Sequence, residues 1–389
     1  MKRGPTGSYE TLSVGGETVR AFLPRPLPPD PPLDLQGRLQ PLLERALLAV
    51  GRLDSLSTLL PDPSLFLYAY VRKEAVLSSQ IEGTQSSLSD LMLFELDQAP
   101  GVPFDDVAEV SSYVRALEHG LARLRGGFPL SARLIREIHA ELLASGRGAS
   151  KAPGEFRRSQ NWIGGTRPGD ALFVPPPHLA VPDAISSLER FLHNENDGLA
   201  VLIKAGLAHV QFETIHPFLD GNGRIGRLLI TLILCNAGVL REPLLYLSLY
   251  LKEHRSEYYR LLDEVRHDGD WEGWLAFFLQ GVAETGDGAV ATVRRLTATF
   301  EEDRALVQAQ VRRSSSALRV HAVLQARPVI TLQEASQRAN LSFPATATGM
   351  ALLVELGIVG ELTGRRRNRV FAYGRYLAVL NEGTEVGEA

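Results

Sequence analysis

Apolar residues recur at three- and four-residue intervals through most of this chain, and that period predicts a mainly α protein. Leu42, Leu43, Ala46, Leu47 and Val50 share one face from Leu39 onward, and a second helix is predicted over 64–78. Between Val107 and Gly286 amphipathic helices follow one another over 107–124, 131–144, 181–194, 199–212, 224–236 and 248–268. One stretch breaks the period. Residues 161–177, NWIGGTRPGDALFVPPP, hold two short strand-like pieces around a Pro-Gly-Asp turn and predict a β-hairpin. Upstream, 22–35 carries Pro24, Pro26, Pro28, Pro29, Pro31 and Pro32, which forbid a regular helix and predict an extended arm lying on a surface.

The pattern changes again near the C-terminus. A charged helical stretch over 294–313 predicts a linker, and three helices over 317–326, 331–338 and 344–356 follow it. Two strand-like pieces, 359–362 and 370–373, then flank Gly364-Arg365-Arg366-Arg367. Three helices and a basic hairpin predict a winged helix-turn-helix. The expected division is an extended arm over 1–38, a helical region over 39–104, a central domain over 105–290, a linker over 291–315, the winged helix over 316–376 and a tail over 377–389.

Length and composition fit this division: 389 residues, 44% hydrophobic and 22% charged, describe a soluble protein of two or three domains. Cys235 is the single cysteine, so an internal disulfide and a cysteine metal cluster are both excluded. Lys2 and Arg3 are not followed by an apolar stretch, and the apolar runs fall short of the ~20 residues that span a bilayer. A cytoplasmic protein with no membrane contact is expected. The formal net charge is -4, but 316–376 holds eight arginines against three glutamates. That surplus suits DNA, through the helix from Pro344 and the arginine-rich turn. Winged helices also dock proteins or dimerise, and a homodimer stays open.

The chemistry concentrates in His216-Pro217-Phe218-Leu219-Asp220-Gly221-Asn222-Gly223-Arg224-Ile225-Gly226-Arg227. Five polar or charged groups beside three glycines make poor core, because burying them unpaired is costly. The flanking periods make this a loop between two helices, and the N-terminus of the second offers free N–H groups to an anion. Gly221 and Gly223 let backbone approach phosphate oxygens, Asn222 adds an amide, and Arg224 and Arg227 lie three apart near one face. Asp220 repels phosphate unless a cation intervenes, which points to Mg²⁺. His216 is the group able to accept a proton near neutral pH. The parts imply attack by a hydroxyl on a nucleotide phosphate. A P-loop is excluded by the missing Gly-Lys-Ser/Thr, and a calcium loop would put Phe218 and Leu229 at ligand positions.

At these residues the chain resembles the Fic-domain family, whose signature His-Pro-Phe-x-Asp/Glu-Gly-Asn-Gly-Arg-x-x-Arg is matched at every defined position. The resemblance extends to Pro153-Gly154-Glu155-Phe156-Arg157 and Asn161-Trp162-Ile163-Gly164-Gly165 upstream, and to Tyr258-Tyr259, Trp271 and Trp274 downstream. It implies a Fic-type helical bundle with a β-hairpin flap, and transfer of AMP from ATP to a Ser, Thr or Tyr hydroxyl of a protein, the chain itself included, with release of pyrophosphate. On that resemblance His216 is the base, Asp220 the Mg²⁺ ligand, and Gly221, Asn222, Gly223 and Arg224 hold the phosphates. Arg227 grips the γ-phosphate, and Tyr258 and Tyr259 face the adenine. The flap, with Gly164, Gly165, Thr166, Phe173 and Val174, pins the target by main-chain bonds.

Upstream, Ser78-Ser79-Gln80-Ile81-Glu82-Gly83 resembles the family's inhibitory motif, Ser/Thr-x-x-x-Glu-Gly/Asn. Physically, a carboxylate delivered to Arg227 forms a bidentate ion pair and occupies the cation that γ-phosphate needs. Autoinhibition by Glu82 is therefore expected, resting on Ser78, Glu82 and Gly83. Two other functions stay open: a DNA-binding regulator whose Fic domain senses nucleotide, and removal of AMP from a target.

Overall fold

The computed structural model describes residues 2–59, 64–96, 102–310, 314–365 and 367–384. Its first element was not anticipated: an antiparallel hairpin of β1 (Gly7–Val14) and β2 (Glu17–Pro24), with Val14 opposite Glu17. Gly15 and Gly16 make the turn with φ of 60° and 85°, the left-handed pair that a tight two-residue hairpin turn requires. Only beyond Pro24 does the proline-rich segment run without regular structure, so the arm expected over 1–38 is in large part a hairpin.

The helical body follows, with α1 (Leu39–Leu59), α2 (Ser64–Ile81), α3 (Leu88–Phe94), α4 (Phe104–Arg125), α5 (Ala132–Leu142) and α6 (Val181–His193). After these come α7 (Val201–Ile215), α8 (Asn222–Asn236), α9 (Ser248–Glu253), α10 (Arg255–Asp268) and α11 (Trp271–Gln308). The pattern of 199–212 suggested an amphipathic helix, but α7 is buried from Ala205 to Ile215 without a break. It is the central helix, covered on all sides. Trp274 fixes α11 against it by donating its indole N–H to the Gly206 carbonyl at 2.9 Å.

The helix expected over 248–268 is divided at His254 into α9 and α10. The charged stretch expected as a linker is instead the second half of α11. Val290, Val293, Leu296, Phe300 and Val307 keep one face of that half buried while Arg294, Arg295, Glu301, Glu302 and Arg304 face outward, so the core stripe never lapses. Residues 311–313 of that stretch lie outside the described residues, as do Arg366 of the basic turn and 385–389 of the tail.

Beyond α11, α12 (Ser314–Ala326), α13 (Leu332–Ala339) and α14 (Phe343–Glu355) pack together beside a three-stranded antiparallel sheet. Its order is β3-β5-β4, from β3 (Val329–Thr331), β4 (Val359–Glu361) and β5 (Val370–Tyr373). The first of these strands was not predicted. Thr331 and Ser342 cap α13 and α14, accepting from Glu334 N–H at 3.2 Å and Ala345 N–H at 3.4 Å. The exposed face of α14 carries Pro344, Thr348, Ala351 and Glu355, with no cation among them. The expected tail forms α15 (Gly374–Asn381), whose Tyr376, Leu377 and Leu380 are buried.

The two halves are joined through Asp303 of α11. The Tyr373 hydroxyl donates to its carboxylate at 2.5 Å and Arg375 reaches its other oxygen at 2.7 Å. A charge this deeply placed needs both donors. Tyr373→Phe is expected to destabilise the chain by about 1.5–3 kcal/mol, the usual worth of a hydrogen bond to a charged group, seen as a lowered denaturation midpoint.

Candidate active site

The loop 216–221 is shaped by two left-handed residues. His216 ends α7 with φ 48° and ψ 61°, and Gly221 precedes α8 with φ 77°. A non-glycine residue held in that region is strained and needs its surroundings to hold it. Arg157 supplies much of the restraint: its Nε donates to the His216 carbonyl at 2.9 Å, and its Nη2 to the Pro176 carbonyl at 2.5 Å. Its backbone N–H also donates to Pro217 O at 2.9 Å.

On the other side His139 stacks face to face on Phe218, ring centroids 3.7 Å apart. Its Nδ1 accepts from Gly154 N–H at 2.9 Å, which leaves the proton on Nε2 to be donated to the Asp220 carbonyl at 3.0 Å. Sequence reasoning missed both roles. Arg157 lay in a quoted motif without a task, and His139 showed only as a polar residue on the buried side of an amphipathic helix.

Asn222 does not reach outward. Its amide closes the loop on itself, accepting from Phe218 N–H and donating to Phe218 O, each at 2.9 Å, and the residue is 2% exposed. Asp220 is half-buried, and its Oδ1 accepts from Gly221 N–H at 2.5 Å. Gly223 faces Glu82 so closely that a Cβ there would sit 2.3 Å from Oε1. Only a glycine leaves that space open.

The two arginines of α8 have separate partners. Arg224 meets Glu109 at 3.2 Å and Asp220 at 3.4 Å. Arg227, 2% exposed, donates from Nε to Ser78 Oγ at 2.9 Å and from Nη2 to Ser78 O at 2.9 Å and Glu82 Oε1 at 2.7 Å. The ion pair is therefore single rather than bidentate, because Ser78 takes the other edge of the fork. Gly83, with φ 97°, turns the chain away just after Glu82.

Burial and charge set the protonation states. Desolvation, helped by the cations Arg266 and Arg157, lowers the His216 imidazole to about 3, so it is neutral near pH ~7. Desolvation pushes the Glu82 carboxyl up, but Arg227 outweighs it and the net shift is downward. Glu213 and Glu74 are buried without so direct a cation, and desolvation raises each to about 7.

Tyr258 is wholly inside, its hydroxyl 2.8 Å from His209 Nε2, whereas Tyr259 is 42% exposed. The buried Tyr258 thus has an internal partner, as does His209. No group of three or more His, Cys, Asp or Glu poised to hold a metal occurs among the described residues.

The expected flap hairpin narrows to a single antiparallel bridge, Ile163 opposite Phe173. Left-handed Gly164 and Gly165 on one side and Pro175–Pro177 on the other prevent a longer ladder. Gly164, Gly165 and Thr166 are exposed, while Phe173 and Val174 are buried. The hairpin β1–β2 braces this segment. Phe22 N–H donates to Val174 O at 2.9 Å, and Glu17 accepts from Gly169 N–H at 2.6 Å and pairs with Arg167 at 2.9 Å. Arg266 lies 4.0 Å from the Phe173 ring centroid.

A loop bearing a neutral imidazole, set before a helix N-terminus with two buried arginines, is an arrangement suited to an anion. Residues 40–122 match the Fic/DOC family N-terminal region and 129–234 match the Fic/DOC family itself. The chain is a Fic-domain protein. It is 30% identical over 188 residues to protein adenylyltransferase Fic of Drosophila melanogaster, spanning 48% of this chain and 35% of that protein. It is also 30% identical over 258 residues to the protein of that name from Drosophila virilis, 64% of this chain and 50% of that one. The chain thus spans half or less of the length of these curated relatives. The solved structure of a Fic family protein from Desulfovibrio desulfuricans G20 shares the fold with a TM-score of 0.55 at 20% identity, over 86% of this chain and 96% of that one. A Fic domain containing signaling protein from Bacteroides thetaiotaomicron gives 0.50 at 19%, over 65% of this chain and 96% of that one.

The neutral state of His139 ties stability to pH. Burial lowers it to about 4, below its ordinary value, so the unfolded chain binds the extra proton first as pH falls. The stability it contributes is full above pH ~6.5 and is lost progressively down to about pH 4, up to roughly 3 kcal/mol. In denaturant titrations at pH 7 and pH 5, His139→Gln is expected to lose less stability on acidification than the parent.

Proposed function

We propose that the chain is a protein adenylyltransferase, moving AMP from ATP to a hydroxyl of a protein. The observation that carries this reading is the neutral His216 in the loop before α8, with Arg227 buried in the second turn of that helix and engaged by a carboxylate. The relatives named protein adenylyltransferase Fic support the same direction. In the reaction the target oxygen attacks the α-phosphorus of ATP, the bond to the bridging oxygen of the β-phosphate breaks, and pyrophosphate leaves. His216 takes the hydroxyl proton. The free N–H groups at the start of α8 and the cations Arg224 and Arg227 stabilise the charge on the phosphates.

Asp220 suits Mg²⁺ carried in with the nucleotide. It is a single half-exposed carboxylate, and magnesium bound to ATP takes one or two carboxylates beside phosphate oxygens and water. When bound, the ion neutralises phosphate charge. Asn222 acts in this reading by fixing the loop from within, and Tyr259, not Tyr258, is the tyrosine free to face a base. The exposed Gly164, Gly165 and Thr166 offer backbone to an extended target segment.

On the same reading Glu82 holds the enzyme off. It neutralises Arg227 and occupies the space over Gly223, where a phosphate would otherwise approach. For the C-terminal region we retain the winged-helix reading, on its three helices and its β4–β5 turn bearing Arg365, Arg367 and Arg369. The cation-free face of α14 favours docking to protein over reading of DNA.

Incubated with labelled ATP, Glu82→Gly is expected to label itself roughly 5- to 150-fold faster than the parent, the usual span of a coupling between sites. Equal rates in protein that still binds ATP would sink the inhibitory role. Adding His216→Ala to that variant should cut transfer by about 10²–10⁴-fold while nucleotide binding by calorimetry persists. Undiminished transfer would overturn the base.

A further inference from the structure

The end of the described chain returns to the helix that carries Glu82. Past α15 the backbone of 382–384 lies along α2. Lys73 Nζ donates to Glu382 O at 2.8 Å, and Gln80 Nε2 donates to Thr384 O at 2.9 Å and to Ser86 O at 3.0 Å. Gln80 sits inside the hexapeptide, between the Ser78 and Glu82 that hold Arg227. One amide therefore links the tail, the end of α2 and the segment that follows Glu82.

The contact is specific in shape. Thr384 is 2% exposed, and Gly383 has φ 78° with Leu249 so near that a Cβ would come within 2.6 Å of it. Its carboxylate pair with Arg295, Glu382 to both Nη atoms at 2.7 Å, is half exposed on each side, and such pairs contribute little. Lys252 Nζ also donates to Gly383 O at 3.3 Å. A short segment held largely by side-chain donors on its backbone carbonyls opens at lower cost than the core. Above it the connection is rigid: β5, the middle strand of the C-terminal sheet, ends at Tyr373 and α15 begins at Gly374.

From this geometry we infer that residues 382–384 form a latch by which the C-terminal domain sets the grip of Glu82 on Arg227. Displacement of β5 and α15 withdraws the carbonyl that holds Gln80, frees the end of α2, and lowers the occupancy of the ion pair. The inference rests on the reading of Glu82 as the inhibitory group. A partner of the C-terminal domain then acts as the activating signal without touching the Fic domain.

Two variants open the latch by different means. Glu382→Arg sets a cation against Arg295, and Gly383→Val forces a side chain into Leu249. In both, amide hydrogen exchange over 78–86 is expected to rise at least about fivefold together with exchange over 374–384. Labelling by ATP should rise in parallel when Glu82 is present and should not rise further when Glu82→Gly is added. Faster exchange over 374–384 with 78–86 unchanged would overturn the latch. Coupled exchange without transfer in any variant, Glu82→Gly included, would uphold the latch and refute the transferase reading.

Discussion

A buried guanidinium must have an anion, and the arrangement around Arg227 follows from that requirement. Three carboxyl groups act on it, from Glu74, Glu82 and Glu213. Desolvation leaves two of them raised to about 7, so near neutrality they are poor counter-ions. Glu82 alone is driven below its ordinary value, and it comes from a helix distant in sequence. The cation is therefore neutralised by a carboxylate that stands at the end of α2, a helix outside the loop and α8. Removing it leaves an uncompensated buried charge, which is the condition under which another anion, such as a phosphate, is bound most strongly.

The same economy shapes the surroundings of His216, the proposed base. His216 is kept neutral by burial and by Arg157 and Arg266, and both cations also hold the flap: Arg157 through the Pro176 carbonyl, Arg266 against Phe173. Proton acceptance and the position of the flap thus depend on shared side chains. Asn222 and His139 complete the frame from opposite sides of Phe218, one through its backbone and one through its ring.

What could be read in the sequence was what local spacing determines. The motif 216–227 and its placement before a helix depend on short-range order, and the structure brings Glu82 of the sextet 78–83 to Arg227 as the family resemblance implied. The bidentate geometry was not legible, since nothing in the spacing says that Ser78 would take the other edge of the fork. Nor was the inward turn of Asn222, which depends on how tightly Phe218 closes the loop. The hairpin β1–β2 carried a usable signal in Gly15-Gly16 between alternating residues, masked by the prolines just beyond it. The full length of α11 is hidden in the sequence by the charge of its second half, although a long helix keeps one apolar stripe while its other faces are charged.

Helix α11 runs for 38 residues, about 57 Å at the usual rise per residue. It is pinned near its start by the Trp274 indole on Gly206 and near its end by the Tyr373 hydroxyl on Asp303, and Gly286 lets α1 press within 3.2 Å of where a Cβ would be. A rod fastened at both ends and gripped midway cannot slide along its axis without breaking all three fastenings. It works as a chassis. Such a frame leaves movement to the parts attached to it, among them the flap and the segment that follows α15.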